Sequence, residues 1–103
     1  MADPMKIRAT SSNGVTEVKV LMSHPMETGQ RKDSEGKTVP AHFITEVTAT
    51  SGGNTVLKAY WGQSVSQNPY LAFKFKGGAK GEKIQVGWVD NKGDKRSDEA
   101  TIS

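Results

Sequence analysis

Val15–Ser23 (VTEVKVLMS) is the stretch that decides the fold class. Val18, Val20 and Met22 share one face of it, and polar residues such as Glu17 lie on the other. Its β-branched residues favour an extended backbone. Alternation with a period of two predicts a strand that buries one face in a core.

The same alternation recurs on both sides of this stretch. Turn residues separate the repeats, with glycine and asparagine the most frequent. The further strands are predicted at Met5–Thr10, Phe43–Ala49, Thr55–Trp61, Tyr70–Lys76, Ile84–Trp88 and around Ala100–Ile102. About seven short strands without a helical period predict a single domain over residues 1–103, an immunoglobulin-like antiparallel β-sandwich. A five-stranded OB barrel is the rival fold.

Strand phase also predicts the core. We expect Phe43, Thr45, Val47 and Ala49 to share one face of the strand that begins near residue 43. The main core residues are expected to be Val18, Val20, Phe43, Phe73, Phe75 and Trp88. If Trp88 is buried, its replacement by alanine should cost about 3–5 kcal/mol.

The composition excludes several kinds of chemistry. The chain has no cysteine, so it offers no disulfide, thiolate metal site, thiol nucleophile or thioester. No apolar run approaches the roughly 20 residues of a membrane helix, and residues 1–10 lack the apolar centre of a signal peptide. We therefore expect no membrane association. The excess of 14 basic over 11 acidic residues is too small to indicate a nucleic-acid partner.

The longest irregular segment lies between Met22 and Phe43 and contains both histidines of the chain, His24 and His42. Pro25 should break strand pairing because it has no backbone N–H group. Residues 31–37 have the polar centre and late glycine of a hairpin tip. Loops held by a rigid scaffold often carry function, so this segment is the first candidate.

His24, Glu27 and His42 form the most plausible metal-binding constellation in the sequence. Their spacing is poor for a metal site, and we expect histidines that only form hydrogen bonds, with no metal or other cofactor. Met26 follows a proline in a loop and should be hard to bury. It is therefore a candidate for contact with another protein.

The other polar residues do not indicate an enzyme. No serine or threonine lies in a recognisable nucleophile setting. Asp90 and Asp94 fit a hairpin loop better than a catalytic pair. Phe73 and Phe75 alternate with Lys74 and should face the core, which argues against an aromatic platform for single-stranded nucleic acid. A binding module is the expected class.

Four segments of the chain are distinctive: Met22–Gly29 (MSHPMETG), Pro40–Ile44 (PAHFI), Val65–Tyr70 (VSQNPY) and Asp90–Gly93 (DNKG). Together they resemble the SoxZ family of sulfur-oxidation proteins. The likeness runs from the first strand to the C-terminus, and the ordered set is more specific than any one segment.

The resemblance implies a non-catalytic subunit of the SoxYZ carrier complex. In that complex, a cysteine in the Gly-Gly-Cys-Gly-Gly tail of SoxY carries the sulfur intermediates of thiosulfate oxidation. A chain without cysteine cannot be that carrier. The resemblance further implies a heterodimer with SoxY, transient docking to other Sox enzymes, and export to the periplasm together with SoxY. An isolated subunit could pair with itself through open strand edges.

We expect the motif segment to form part of the partner or docking surface. Its residues are His24, Pro25, Met26, Glu27, Thr28 and Gly29, together with His42. Three alternatives stay open: a subunit of a SoxYZ-like carrier in another oxidative pathway, a basic β-barrel that binds single-stranded nucleic acid, and a metal-dependent enzyme that uses His24, Glu27 and His42.

Overall fold

A computed structural model describes residues 4–103 and contains seven β-strands. They are β1 (Lys6–Ser12), β2 (Val15–Leu21), β3 (Ile44–Ser51), β4 (Asn54–Tyr60), β5 (Tyr70–Lys76), β6 (Lys83–Asp90) and β7 (Lys95–Thr101). Within the described residues, no helix is long and apolar enough to cross a membrane.

The strands form two antiparallel sheets. One sheet has the order β1-β2-β5, and the other has the order β4-β3-β6-β7. This arrangement confirms the predicted β-sandwich, and two separate sheets rule out the rival barrel. The segment between β4 and β5 carries the chain from one sheet to the other.

The core lies between the two sheets and follows the strand alternation. Val18 and Val20 of β2 are fully buried, as are Ile84 and Val86 of β6, and Trp88 is 3% exposed. The inward faces of β2 and β6 were therefore predicted correctly. The predicted phase of β5 is also confirmed, since Phe73 and Phe75 pack against this core.

The predicted face of β3 is wrong at its beginning. The pairing register between β3 and β6 shifts between Ile44 and Glu46, which marks a β-bulge. A bulge reverses the alternation locally. Ile44 is consequently fully buried, whereas Phe43 and Thr45 are only half-buried. Phe43 lies at the edge of the core rather than at its centre.

One end of the sandwich collects several strand ends. Ile44 at the start of β3 pairs with Asp90 at the end of β6. The backbone N–H of Met22, just after β2, donates to the carbonyl of Pro69, just before β5, at 2.9 Å. The irregular segment between β2 and β3 leaves and rejoins the sandwich at this end.

Candidate functional site: the base of a projecting arm

The segment between β2 and β3 folds back on itself as a two-stranded ribbon. At its base, the N–H group of Glu27 donates to the carbonyl of His42 at 2.7 Å, and the N–H of His42 donates to the carbonyl of Glu27 at 2.9 Å. Farther out, Lys32 pairs with Thr38. We call residues 28–41 the arm.

The tip of the arm is a turn built on Asp33. One carboxylate oxygen of Asp33 accepts hydrogen bonds from the backbone N–H groups of Glu35 and Lys37 at 2.9 and 3.0 Å. Gly36 has a φ of 78°, a conformation that favours glycine. The predicted hairpin tip at residues 31–37 is thereby confirmed.

Glycine is also required where the arm begins. Gly29 has a φ of 88°, and a Cβ atom added to it would lie 3.2 Å from the Cβ of Ala41 on the opposite strand of the arm. A side chain at position 29 would thus strain the backbone and crowd the facing strand. The two strands can approach here because residue 29 is a glycine.

A buried carboxylate joins both histidines beneath the arm. Oδ2 of Asp90 lies 2.9 Å from Nε2 of His24 and 2.7 Å from Nε2 of His42. The side chain of Asp90 is fully buried, that of His24 is 2% exposed and that of His42 is 24% exposed. We call these three residues the His-Asp-His cluster.

A third hydrogen bond fixes the protonation of His24. The backbone N–H of Met26 donates to Nδ1 of His24 at 3.1 Å. Nδ1 must therefore carry no proton, and the neutral ring holds its proton on Nε2. His24 is then a donor to the Asp90 carboxylate, as the 2.9 Å distance requires.

Asp90 also caps the turn that follows β6. Its Oδ1 atom accepts hydrogen bonds from the backbone N–H groups of Lys92 and Asp94 at 3.0 and 2.9 Å. Burial raises the pKa of Asp90, but the hydrogen bonds from the two histidines and the two amides outweigh it, so the pKa lies below its usual 3.8. The carboxylate is held in its ionised form.

Two core residues, Trp88 and Met26, contact the His-Asp-His cluster. The ring of Trp88 meets that of His24 edge-on, with centroids 4.9 Å apart. Met26 is 5% exposed, and its sulfur accepts a hydrogen bond from the N–H of Ile44 at 3.4 Å. The Trp88 Nε1 atom is buried and has no hydrogen-bond partner among the described residues. Packing and hydrogen bonds together hold the base of the arm against the sandwich.

One expectation for the motif segment is wrong, and one constellation considered for it does not form. Met26 was expected to be hard to bury, yet it lies in the core, so it cannot be the contact with another protein. Glu27 does not join the histidines, because its carboxylate forms a bidentate pair with Arg31, with N–O distances of 2.8–3.0 Å. The Arg31 hydrogen bond lowers the pKa of Glu27.

The residue that sequence reasoning missed is Asp90, which was interpreted only as a turn residue. The turn role is confirmed, but the second carboxylate oxygen joins the histidines. A signal was present in the sequence: Asp90 continues the inward phase of Ile84, Val86 and Trp88. A carboxylate in a core-facing position needs buried hydrogen-bond partners.

The histidines and Asp90 are ligand types that zinc and related ions accept, and their ligand atoms lie within 4.8 Å of one another. The hydrogen-bond pattern does not fit a resident metal. A metal on Nε2 of His24 would move the ring proton to Nδ1, directly against the Met26 N–H group. Ligands around tetrahedral zinc lie roughly 3.4 Å apart, and the nitrogen–oxygen distances of 2.7 and 2.9 Å are too short for an ion between them.

Comparison with known protein families gives one match. Residues 5–101 match the family described as sulphur oxidation protein SoxZ. The chain belongs to the SoxZ family. Membership supports a subunit of a sulfur-oxidation (Sox) system, and the family implies partnership with SoxY in a Sox complex. A search of curated proteins found no match.

Solved structures share the fold of this SoxZ-family chain. A hypothetical protein from Pyrococcus horikoshii OT3 has a TM-score of 0.69 at 18% identity, covering 99% of this chain and 89% of its own. A superoxide reductase in the oxidised state has a TM-score of 0.63 at 18% identity, covering 99% and 89%. The superoxide reductase (neelaredoxin) from Archaeoglobus fulgidus in the reduced form has a TM-score of 0.60 at 22% identity, covering 97% and 87%. At these identities the likeness concerns the fold alone.

Proposed function

We propose that this chain is the non-catalytic subunit of a SoxYZ carrier complex. It binds SoxY, whose C-terminal cysteine carries the sulfur intermediates, and helps present that cysteine to the Sox enzymes during thiosulfate oxidation. The observation that carries the proposal is the family match over nearly the whole chain, residues 5–101.

The chemistry of the chain supports a division of labour with SoxY. Covalent attachment of a sulfur intermediate needs a thiol, and the chain contains no cysteine. In the buried His-Asp-His cluster, Nε2 of both histidines is engaged by the Asp90 carboxylate. The contribution of this subunit is therefore a surface.

The arm is the best candidate for part of that surface. All residues from Gln30 to Thr38 are exposed. An isolated two-stranded ribbon is marginally stable in water, so a partner that covers it would stabilise it. Within the motif segment, Pro25 is exposed, while Glu27, Thr28, Gly29 and His42 are half-buried and accessible at the base.

His24 and Met26 act differently within this surface. Both are buried, at 3% and 5% exposure, and cannot reach a partner directly. Their hydrogen bonds to Asp90 and Ile44 fix where the arm leaves the sandwich. We therefore assign them to positioning the arm, and the accessible residues around them to contact.

The first test is direct binding. This chain and SoxY, mixed at equal concentration, should elute as a one-to-one heterodimer by size-exclusion chromatography with light scattering. Mass spectrometry of the complex after thiosulfate turnover should find added mass on the SoxY cysteine and none on this chain. Separate elution of the two chains would overturn the proposal.

A shortened arm tests the surface. Residues 32–38 are replaced by Asn-Gly, a pair suited to a tight hairpin between Arg31 and Val39, which already share a backbone hydrogen bond of 2.8 Å. We expect an unchanged melting temperature but weaker SoxY binding or slower turnover in a reconstituted thiosulfate assay. Lys80→Ala, in the exposed turn between β5 and β6, is the control. Full binding and turnover by the shortened chain would remove the arm from the proposal.

The periplasm is the proposed location, reached together with SoxY. Expression of the chain with SoxY should place both in the periplasmic fraction, and expression without SoxY should leave the chain in the cytoplasm. Periplasmic accumulation without SoxY would contradict shared export.

A further inference from the structure

The outer face of the sheet β1-β2-β5 carries a concentrated positive charge. Its outward-facing side chains include five basic residues and one acidic residue. They are Lys6, Arg8, Lys19, Lys74 and Lys76, with Glu17 as the acid. We call this surface the basic face. None of these side chains belongs to the arm or to the motif segment.

The strand register places like charges next to each other on the basic face. Arg8 of β1 lies directly opposite Lys19 of β2. Like charges in directly opposed positions destabilise a sheet. Glu17 lies near only part of the set, 3.6 Å from Nζ of Lys19 and 3.8 Å from Nζ of Lys74. Among residues 4–103, neither Lys6 nor Arg8 on the β1 side forms an ion pair with an acidic side chain.

Apolar side chains stand among these charges. Leu21 is 42% exposed and Tyr70 is 60% exposed, and the two are directly paired across β2 and β5. On the neighbouring strand β1, the residue directly paired with Leu21 is Lys6. A shallow depression of about 290 Å³ lies here, lined by Lys6, Ile7, Arg8, Lys19, Leu21 and Tyr70. It combines an apolar floor with a basic rim.

The outer face of the other sheet lacks this imbalance. There, Nζ of Lys58 lies 3.3 Å from a carboxylate oxygen of Glu46, and Nζ of Lys83 lies 3.2 Å from one of Glu99. Two sheets of one small domain thus differ in how their outward charges are balanced. The imbalance of the basic face is not a general property of the chain, whose net charge is only +3.

We propose that the basic face docks an acidic protein surface that places an apolar side chain in the depression beside Leu21 and Tyr70. Charge complementarity selects an acidic partner, and tyrosine and arginine are frequent binding hot spots. Glu17 at the centre of the face and the inward direction of Phe73 and Phe75 disfavour a nucleic-acid strand. This inference does not depend on the identity of SoxY as partner.

The test is a titration of the full chain, labelled with ¹⁵N, followed by two-dimensional NMR. The probe is a synthetic peptide of glutamate and aspartate residues around a central Phe-Leu pair. One comparison peptide has the same charge with Ser-Gly at its centre, and a second probe is a thymidine oligonucleotide of equal charge. We expect saturable shifts confined to β1, β2 and β5 that weaken as salt is added.

Two matched charge reversals complete the experiment. Arg8→Glu with Lys19→Glu should reduce peptide affinity at least tenfold, because it inverts the rim while retaining one like-charge pair. Lys83→Glu with Lys95→Glu, on the opposite outer face, should leave affinity unchanged. Leu21→Ser should weaken binding of the Phe-Leu peptide and leave binding of the Ser-Gly peptide unchanged.

Three results would overturn the proposal. The first is an absence of saturable shifts on this sheet. The second is equal affinity for the Phe-Leu and Ser-Gly peptides, which would indicate general charge attraction. The third is tighter binding of the oligonucleotide than of the peptide, which would identify the basic face as a nucleic-acid site.

Discussion

The base of the arm and the arm itself are adjacent in sequence but are stabilised in different ways. At the base, His24, Met26 and Asp90 are at most 5% exposed, and several hydrogen bonds link them to one another or to the backbone. In the arm, the residues from Gln30 to Thr38 are all exposed. Substitutions at the base should therefore change folding, and substitutions in the arm should change binding.

The motif segment spans both regions, which explains its composition. His24 and Met26 belong to the base, and the Thr28-Gly29 pair belongs to the start of the arm. A surface role and a structural role thus alternate over a few residues. Predictions that separate the two roles test this division directly.

The largest effect is expected for Asp90→Ala. The substitution leaves two histidine donors and two backbone N–H groups without their acceptor in a buried site. Leaving these buried groups without a hydrogen-bond acceptor should lower the free energy of unfolding by about 3–5 kcal/mol. Urea denaturation followed by Trp fluorescence measures it. Asp94→Ala, in the same turn but exposed, is the control and should change stability little.

Met26→Ala should have the next largest effect. Removing a buried methionine side chain costs about 2–5 kcal/mol, and the N–H of Ile44 loses its sulfur acceptor. Met26→Leu conserves most of the volume and should cost less than about 1.5 kcal/mol. If Met26→Ala left the urea midpoint unchanged but weakened SoxY binding, the assignment of Met26 to the base would be wrong.

Local patterns predicted most of the fold. Strands β2, β5 and β6 have strict alternation, and a period of two is a property of neighbouring residues that needs no partner. The face of β3 could not be read in this way, because the bulge after Ile44 depends on its pairing with β6. A register shift arises between strands, so the sequence of one strand does not show it.

The candidate site was only partly predictable. His24 and His42 were recognised because they interrupt an otherwise regular β-pattern. Their connection to Asp90 spans 66 and 48 residues of sequence, and only the fold brings them together. Met26 was placed at the surface because a residue after Pro25 usually belongs to a loop. Its sulfur instead reaches the backbone of Ile44 in the core.

Acid should weaken the base of the arm. The pKa of Asp90 is lowered in the folded protein, so its contribution to stability is fully present above 3.8 and is lost as pH falls through its lower folded value. Asp98, whose pKa is lowered chiefly by its hydrogen bond to Arg96, acts in the same direction. We expect the urea midpoint to decrease below about pH 4. Asp90→Asn should show a smaller decrease, and an equal decrease in both proteins would assign the acid sensitivity to other groups.

The smallest effect on folding stability is expected for Arg31→Ala, which tests most directly whether the base and the arm have separate roles. Arg31 lies in the exposed arm, and its bidentate pair with Glu27 is solvent-accessible, so the urea midpoint should stay within error. The pair nevertheless fixes the direction in which the arm starts, because Glu27 also pairs through its backbone with His42. SoxY affinity measured by calorimetry should therefore fall while stability does not. Lys80→Ala, in an exposed turn outside the arm, is the matched control, and a destabilised Arg31→Ala protein with normal SoxY affinity would reverse the roles assigned to base and arm.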